Sequence, residues 1–154
     1  MLKSVVIIFV LSTLTAAFGA ELKPEEKITY RQSGYTFMRW NMAKIKTQVI
    51  DSPQSFNREQ VIGAAQLIAA TANSGIDTLF STDTQTGKGW KETRVKPEFF
   101  KEGEQVKKYF ADLRREANEL AKVASDGDVG TLKSQFEKVQ KVCKSCHDDF
   151  RTKD

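Results

Sequence analysis

The sequence predicts an all-α protein, an antiparallel up-and-down bundle of four helices. In four separate segments, apolar residues recur at alternating spacings of three and four, the pattern of a helix with one buried face. No segment keeps the two-residue alternation of a half-buried strand for more than a few positions. The 154 residues, 40% of them hydrophobic, are enough for one domain with a sizeable core.

Residues 1–20 have the composition of a secretory signal peptide. Lys3 precedes an apolar run over residues 5–11, and mostly small residues follow to position 20. We expect cleavage after Gly19 or Ala20 and one domain over residues 21–154. The apolar run is too short to span a membrane, and nothing later resembles a transmembrane segment, so we expect an exported protein without membrane insertion.

The first helix is predicted over residues 23–51. Pro24 suits its first turn, and one face carries an almost wholly apolar seam. The seam consists of Ile28, Arg31, Tyr35, Met38, Met42 and Ile45. Arg31 is the exception, because a guanidinium on such a seam needs either an anionic partner or a route to solvent. The pattern alone leaves both alternatives open.

The second helix is predicted to start after Asn57, a favourable N-cap, and it is rich in alanine. A break at residues 73–75 is followed by weak helical tendency over 76–80. Residues 81–97 form the one long connection, which is locally basic. We expect Trp90 to pin this connection, although a solvated crossover is the simpler alternative.

The third helix is predicted from Pro97 to about residue 125. Its buried side chains are expected to be Phe100, Val106, Phe110, Leu113, Ala117, Leu120 and Ala124. Asp128 should cap the fourth helix. The seam of that helix is Leu132, Phe136, Val139, Cys143, Cys146 and Phe150. Both cysteines are therefore predicted to face the interior of the bundle.

The stretch Cys143-Lys144-Ser145-Cys146-His147 has the Cys-x-x-Cys-His signature of covalent c-type haem attachment. Each thiol can add to one vinyl group of the porphyrin, and the adjacent imidazole can bind the iron. A redox dithiol does not need the histidine, and a zinc site needs two further ligands. The chain has no other cysteine or histidine. We therefore predict one haem c per chain, with His147 as the iron ligand.

Other functions lack support in the composition. Residues 21–154 carry 23 basic and 20 acidic side chains, with no basic stripe of the kind that nucleic-acid-binding proteins use. With the single histidine assigned to iron, no Ser-His or Cys-His catalytic pair is available. We therefore expect neither an enzyme nor a nucleic-acid partner.

The chain resembles cytochrome c′, the class II c-type cytochromes whose haem lies near the C-terminus of a four-helix bundle. The position of the haem motif at residues 143–147 is the most specific part of this resemblance. Residues 30–33, 87–100 and 150–151 also match the family pattern. The resemblance covers essentially all of residues 21–154, and it implies a periplasmic protein.

The resemblance also implies roles for particular residues. They are thioether anchors at Cys143 and Cys146, the proximal iron ligand at His147, a propionate contact at Arg31, and a cation near the imidazole at Arg151. The last placement is consistent with the sequence, because Arg151 lies four residues after His147 and hence on the same helix face.

The sixth position of the iron decides the function. Histidine is excluded, which leaves water, no ligand, Tyr35, Met38 or Met42. In the family, an apolar or aromatic residue of the first helix, at the position of Tyr35 here, covers this site without ligating the iron. The resemblance thus implies a five-coordinate, high-spin haem that binds nitric oxide or carbon monoxide and exchanges single electrons. The alternative is a low-spin His-Met electron carrier of the cytochrome c-556 type.

The resemblance implies a homodimer as well, since first-helix pairing is common in the family. Phe37, Trp40 and Ile50 are the apolar residues expected to form such a contact. The sequence leaves the periplasmic redox partner unnamed.

Overall fold

The structure is a computed structural model that describes residues 21–153. The predicted signal peptide lies outside these residues. The described chain contains four α-helices: α1 (Pro24–Lys46), α2 (Arg58–Asn73), α3 (Gly103–Asp126) and α4 (Val129–Phe150). Helix α1 packs on α2, α2 on α3, and α3 on α4, which confirms the all-α four-helix bundle. Within the described part, no helix has the length and apolar character needed to cross a bilayer.

The predicted helix starts are confirmed at α1, α2 and α4. Pro24 occupies the first turn of α1, where its missing N–H removes no hydrogen bond. The Asn57 side chain accepts a hydrogen bond of 3.0 Å from the Gln60 amide. Asp128 caps α4 by accepting from the Thr131 amide at 3.0 Å. These caps satisfy amide groups that a helix leaves without intrahelical partners.

Two helix boundaries differ from the prediction. The first helix is α-helical only to Lys46 and continues as a π-helical turn over Thr47–Asp51, which buries Gln48. The third α-helix begins at Gly103, because Pro97–Phe100 form a separate 3₁₀ turn. A 3₁₀ turn has three residues per turn, so helical spacing no longer selects its inward residue. Phe99 is accordingly buried, whereas Phe100 and Val106, both predicted to be buried, are only half-buried.

The larger of two cores, here called the aliphatic cluster, lies between the four helices. Six of its buried members are alanines, four on α2 and two on α3, and Phe136 is its only aromatic member. Its members are Met38, Ile45, Val49, Val61, Ala64, Ala65, Ile68, Ala69, Ala72, Leu113, Ala117, Leu120, Val123, Ala124, Leu132, Phe136 and Val139. Small alanines allow the helix axes to approach closely.

The smaller core, here called the aromatic cluster, lies where α4 ends. Its buried members are Ile76, Phe99, Phe110 and Phe150, and the partly buried residues that pack on them include Tyr35, Phe80, Val95, Tyr109 and Cys146. The Phe99 ring meets the Phe110 and Phe150 rings edge-on, at centroid distances of 6.3 and 5.6 Å. Helix ends, 3₁₀ turns and the long connection all contribute to this cluster, so it joins elements far apart in sequence.

Candidate haem site

Helix α4 places the two cysteines at the border between the two clusters. Cys143 packs against the aliphatic cluster, and Cys146 packs against the aromatic cluster. Both side chains are half-buried and lie three residues apart on one helix face. Their predicted orientation toward the interior of the bundle is therefore confirmed.

The thiols are neutral groups in an apolar setting. Burial raises the pKa of Cys146 to about 11, with a further contribution from Cys143. Burial also raises the pKa of Cys143. A dithiol that reacts as a redox centre has a lowered pKa, since the thiolate is the nucleophile. This pair has the opposite property, which disfavours the redox-dithiol interpretation.

The imidazole of His147 is exposed and lines an open depression of about 350 Å³. The other lining residues are Arg94, Lys96, Asp148, Arg151, Thr152 and Lys153. Partial desolvation of the ring, and then the positive charge of Arg151, lower the pKa of His147. The neutral imidazole is the form that binds a metal ion. Among residues 21–153, no three His, Cys, Asp or Glu side chains are grouped so as to hold a metal ion.

Arg151 lies beside His147, as its spacing in the sequence predicted. Both side chains line the same depression, and the Arg151 amide donates to the His147 carbonyl at 3.1 Å. Burial, and then the nearby charge of Arg94, lower the pKa of Arg151. The structure thus brings this cation to the imidazole, and its role toward a bound haem stays a prediction.

A short extended segment of the long connection fixes the end of α4. The Lys96 amide donates to the Phe150 carbonyl at 2.9 Å, and its Nζ donates to the carbonyls of Asp148 and Asp149 at 3.0 and 2.8 Å. These bonds satisfy carbonyls that a helix end leaves unpaired. They also hold the last turn, which carries His147, in place. The sequence did not indicate this role for Lys96, because a loop lysine is ordinarily solvated.

Tyr35 is the first-helix residue that borders both clusters. Its ring meets Phe80 edge-on at a centroid distance of 6.3 Å. Burial raises the pKa of the Tyr35 phenol, and negative charge on Cys146 or Cys143 would raise it further. The phenol is therefore neutral at physiological pH. Tyr35 and Cys143, 108 residues apart, thus pack on the same cluster, and the position of the Tyr35 ring over the iron stays a prediction.

The two first-helix methionines have different surroundings. Met38 is only 4% exposed and is a member of the aliphatic cluster. Met42 is partly buried against the same cluster. Neither methionine belongs to the aromatic cluster that Cys146 and Tyr35 share. Their surroundings are those of ordinary core side chains.

Arg31 is 3% exposed, so the solvent alternative is wrong. Its NH1 donates to the Thr84 hydroxyl at 2.6 Å and to the Leu79 carbonyl at 3.2 Å. Its NH2 donates to the Thr84 carbonyl at 3.0 Å and to the Thr93 hydroxyl at 2.7 Å. The guanidinium also lies 4.5 Å from the centre of the Phe80 ring. Burial lowers the pKa of Arg31 to about 10, so it remains a cation at neutral pH.

These contacts give Arg31 a function that sequence reasoning missed, namely holding the long connection against α1. Thr84 is completely buried, and its hydroxyl also donates to the Ser81 carbonyl at 2.7 Å. Lys27 holds the same connection through Asp83, at 3.2 Å. The solvated-crossover alternative is therefore wrong. The only signal in the sequence was Arg31 itself, since a buried guanidinium requires several acceptors. Its contact with a propionate stays a prediction.

Trp90 attaches the connection to α1 by a hydrogen bond and not by burial. Its side chain is 70% exposed, while its indole N–H donates to the Ser33 hydroxyl at 2.7 Å. The expected pin is present, but most of the indole surface remains in contact with solvent.

The donor set suits covalent haem attachment. Two neutral thiols lie three residues apart on one helix face, and a neutral imidazole follows directly in sequence. A buried guanidinium, Arg31, and a half-buried phenol, Tyr35, stand on α1, and Tyr35 borders the same two clusters as the cysteines. Apolar and aromatic side chains surround the sulfur atoms, as a porphyrin face requires.

Comparisons with known proteins identify close relatives of this chain. A family model described as cytochrome C' matches residues 26–151. Cytochrome c′ of Rhodocyclus tenuis is 52% identical over 132 residues, which cover 86% of this chain and 98% of that protein. Cytochrome c′ of Allochromatium vinosum is 44% identical and covers 93% of this chain and 91% of its own length. A solved cytochrome c′ structure with ligand-controlled dimer dissociation superposes with a TM-score of 0.81 at 46% identity, over 87% of this chain and all of that chain.

Proposed function

Because the chain belongs to the cytochrome c′ family and carries the covalently attached c-type haem of that family, we propose that it is a periplasmic protein with a five-coordinate, high-spin haem that binds nitric oxide or carbon monoxide. It also exchanges single electrons. Members of this family act in electron transfer and ligand binding, and we assign no catalytic residue. The periplasmic location rests on the export signal in residues 1–20.

The motif residues hold the haem in this proposal. Cys143 and Cys146 are the thioether anchors, and His147 provides the proximal nitrogen from the last turn of α4. The haem iron supplies a one-electron change of oxidation state and an axial position for a small ligand. The bonds from Lys96 to the end of α4 hold the backbone of the turn that carries His147. Arg151 places a cation beside that imidazole.

Arg31 acts on the other side of the site. It is the propionate contact in this proposal, and its guanidinium is already fixed by Thr84 and Thr93. An arginine whose position is set in advance loses little side-chain entropy when it binds an anion. Arg31 and Tyr35 are one helical turn apart, so fixing the first also sets the position of the second.

The observation that carries the five-coordinate assignment is the position of Tyr35 beside the cysteine pair at the border of the two clusters. Its neutral phenol is a poor iron ligand, and its ring occupies the space that a small ligand needs. Tyr35 therefore limits entry: a diatomic ligand binds only when the ring moves aside. The His-Met alternative has less support, because Met38 packs in the aliphatic cluster.

Carbon monoxide rebinding to the ferrous holoprotein tests this proposal. Tyr35→Ala removes the ring, so its association rate after flash photolysis should rise by at least about ten-fold, which corresponds to about 1.4 kcal/mol of barrier. Tyr35→Phe keeps the ring and should stay within a few-fold of the parent, which serves as the matched control. An unchanged rate in Tyr35→Ala, with the ferrous iron still five-coordinate, would show that Tyr35 is not the gate.

The intact mass and the ferric spectrum of the periplasmic protein test haem attachment, signal-peptide cleavage and the sixth iron ligand. The mass should equal one haem plus the chain that begins at Ala20 or Glu21. Survival of two free thiols would contradict the assignment of Cys143 and Cys146. In the ferric spectrum, a charge-transfer band at roughly 695 nm, which marks a methionine sulfur bound to the iron, would favour the His-Met alternative instead.

We also propose a homodimer that pairs through α1. Phe37 and Trp40 are 44% and 53% exposed, and their rings lie 5.5 Å apart on the surface of α1. The third expected residue, Ile50, is half-buried against the aliphatic cluster and offers less surface. The relative with ligand-controlled dimer dissociation supports this proposal.

Sedimentation at roughly micromolar concentration should show the dimer, and a single monomeric species would refute it. Trp40→Ala should weaken the association.

A further inference from the structure

The long connection contains a small hairpin with an exposed tryptophan at its tip. This Trp90 hairpin comprises residues 87–93. The Thr93 amide donates to the Gly87 carbonyl at 2.9 Å, and Lys88 forms an antiparallel bridge with Glu92. Gly87 has a φ of 111°, in the region that favours glycine. The hairpin therefore has a defined conformation and is not a disordered loop.

Three contacts fix the hairpin to α1. The Gln32 side-chain amide donates to the Lys91 carbonyl at 2.9 Å and accepts from the Lys91 amide at 3.2 Å. The indole N–H of Trp90 donates to Ser33. Gly89 touches the α1 backbone so closely that a Cβ would lie 2.7 Å from the Thr29 nitrogen. The indole is thus held in place while 70% of its surface is exposed. An aromatic side chain that is already ordered loses little entropy when a partner binds it.

The hairpin and the residues that follow it hold the excess positive charge. Segment 88–96 has four basic side chains and one acidic side chain. Residues 21–154 have 23 basic and 20 acidic side chains, so this segment accounts for the whole formal excess of +3. Lys88 and Lys91 are exposed, and no carboxylate among residues 21–153 lies within ion-pair distance of either. Such a local field attracts acidic surfaces and speeds their encounter.

The hairpin leads directly to both sides of the haem site. Thr93 at its base accepts a hydrogen bond from Arg31, and two residues later Val95 forms a bridge with Arg151 at the end of α4. Trp90 is three residues from Thr93, so it lies within about 10 Å of that contact. A protein bound at Trp90 would therefore reach the edge of the site that Arg31 and His147 flank.

We propose that the Trp90 hairpin is the docking surface for an acidic face of a redox partner protein, with Trp90 as the central apolar anchor and Lys88 and Lys91 as the steering charges. This inference rests on the proposed one-electron function. An anionic lipid surface is less favoured, because the hairpin exposes a single aromatic residue and Glu92 lies beside it. The combination of one aromatic anchor and a charged rim is typical of protein interfaces.

Reduction of the ferric holoprotein by a reduced plant-type [2Fe–2S] ferredoxin, an acidic electron donor, tests this inference by stopped-flow absorbance. Lys88→Gln/Lys91→Gln changes no contact of the hairpin and should lower the second-order rate constant on the order of 3- to 10-fold at low ionic strength. Trp90→Ala should raise the ferredoxin concentration for half-maximal rate on the order of ten-fold. The decrease in rate constant in the lysine variant should shrink as salt screens the charges.

Two matched controls carry the same changes elsewhere. Lys122→Gln/Lys133→Gln removes two exposed lysines near the α3–α4 turn. Lys133 lies about 15 Å from Cys143 along α4, and this variant should leave the second-order rate constant unchanged. Leu67→Ala removes another exposed apolar side chain, on α2, and should also leave it unchanged. Equal effects of the hairpin and control variants on the rate of reduction by ferredoxin would overturn the proposed docking surface.

Dithionite separates this inference from the proposed function. If dithionite produces no haem reduction, the proposed function fails and the inference fails with it. If dithionite reduces every variant equally and the ferredoxin rates are the same in both hairpin variants as in the parent, only the proposed docking surface is wrong. Trp90-dependent co-sedimentation with vesicles of about 30% phosphatidylglycerol, combined with unchanged ferredoxin rates, would assign the hairpin to lipid and also overturn the inference.

Discussion

The aliphatic and aromatic clusters of this protein are built in different ways. The aliphatic cluster takes all but one of its buried residues from the four α-helices, and the exception, Val49, lies in the turn that continues α1. The aromatic cluster takes Phe99 from one 3₁₀ turn, Ile76 from another, Phe150 from the last position of α4 and Val95 from an extended segment. One region is a helix interface, and the other combines helix residues such as Phe110 with residues of turns and of the long connection.

The difference between them bears on where function lies. Cys143 contacts the first cluster and Cys146 the second, while Tyr35 contacts both. The site is therefore placed at the border where regular helix packing gives way to the connection that Arg31 holds. This arrangement separates two tasks: the aliphatic cluster stabilises the bundle, and the aromatic end positions the groups of the site. Substitutions in each region should affect different measurements.

The largest expected effect is on stability, from Phe136→Ala. Phe136 is completely buried in the aliphatic cluster, so its truncation should cost about 3–5 kcal/mol of unfolding free energy. Urea unfolding of the holoprotein measures this cost, and the ferric spectrum of the folded fraction should not change. Phe99→Ala in the aromatic cluster is the matched variant, and it should alter carbon monoxide rebinding as well as stability. If Phe136→Ala changed ligand rebinding as much as Phe99→Ala, the two tasks would not be separated.

A smaller effect is expected from Thr84→Val, which keeps the side-chain shape and removes one buried hydroxyl. That hydroxyl accepts from Arg31 at 2.6 Å and donates to the Ser81 carbonyl at 2.7 Å. Leaving these groups without partners should cost about 1–3 kcal/mol. The control is Thr71→Val, whose hydroxyl only bonds to the Leu67 carbonyl within α2, and it should change stability by less than about 0.5 kcal/mol. Equal costs at the two positions would show that Arg31 does not depend on Thr84.

Replacing both Met38 and Met42 with leucine should have a smaller effect still. These swaps keep apolar volume in the aliphatic cluster, so we expect a loss below about 1.5 kcal/mol. The ferric spectrum should be the same as in the parent, because we assign both side chains to packing. Loss of low-spin features in the double variant would mean that one methionine had been an iron ligand and that the aliphatic cluster extends into the site.

The smallest effect should come from Asn57→Ala at the start of α2. This change removes the bond to the Gln60 amide and should cost about 1 kcal/mol, while Asn57→Gly should cost only a few tenths. Urea midpoints of the two variants give the comparison. Because α2 contributes its buried residues to the aliphatic cluster, carbon monoxide rebinding should remain at the parent rate. A changed rate of carbon monoxide rebinding would show that the start of α2 is coupled to the haem site.

Local patterns in the sequence were enough to predict the four helices, the side-chain caps at Asn57 and Asp128, most of the buried face of each helix and the haem motif. These features are local, because helical periodicity, cap chemistry and the spacing of Cys143 and Cys146 depend only on residues a few positions apart. The juxtaposition of Tyr35 with the cysteines was expected from the family resemblance and not from any local pattern. Whether Arg31 is buried was also left open, because its partners lie far away in the sequence.

The folded structure was needed to show which groups surround Arg31, which phenylalanine of Pro97–Phe100 is buried, and how Lys96 and Trp90 fix the long connection. Each of these contacts joins residues far apart in sequence through segments without a regular repeat. In such segments, the direction of a side chain follows from the individual backbone angles and from the partners available nearby. The physical reason is thus the same at every position: a periodic helix determines its own buried face, whereas a connection acquires its buried groups from the surface on which it packs.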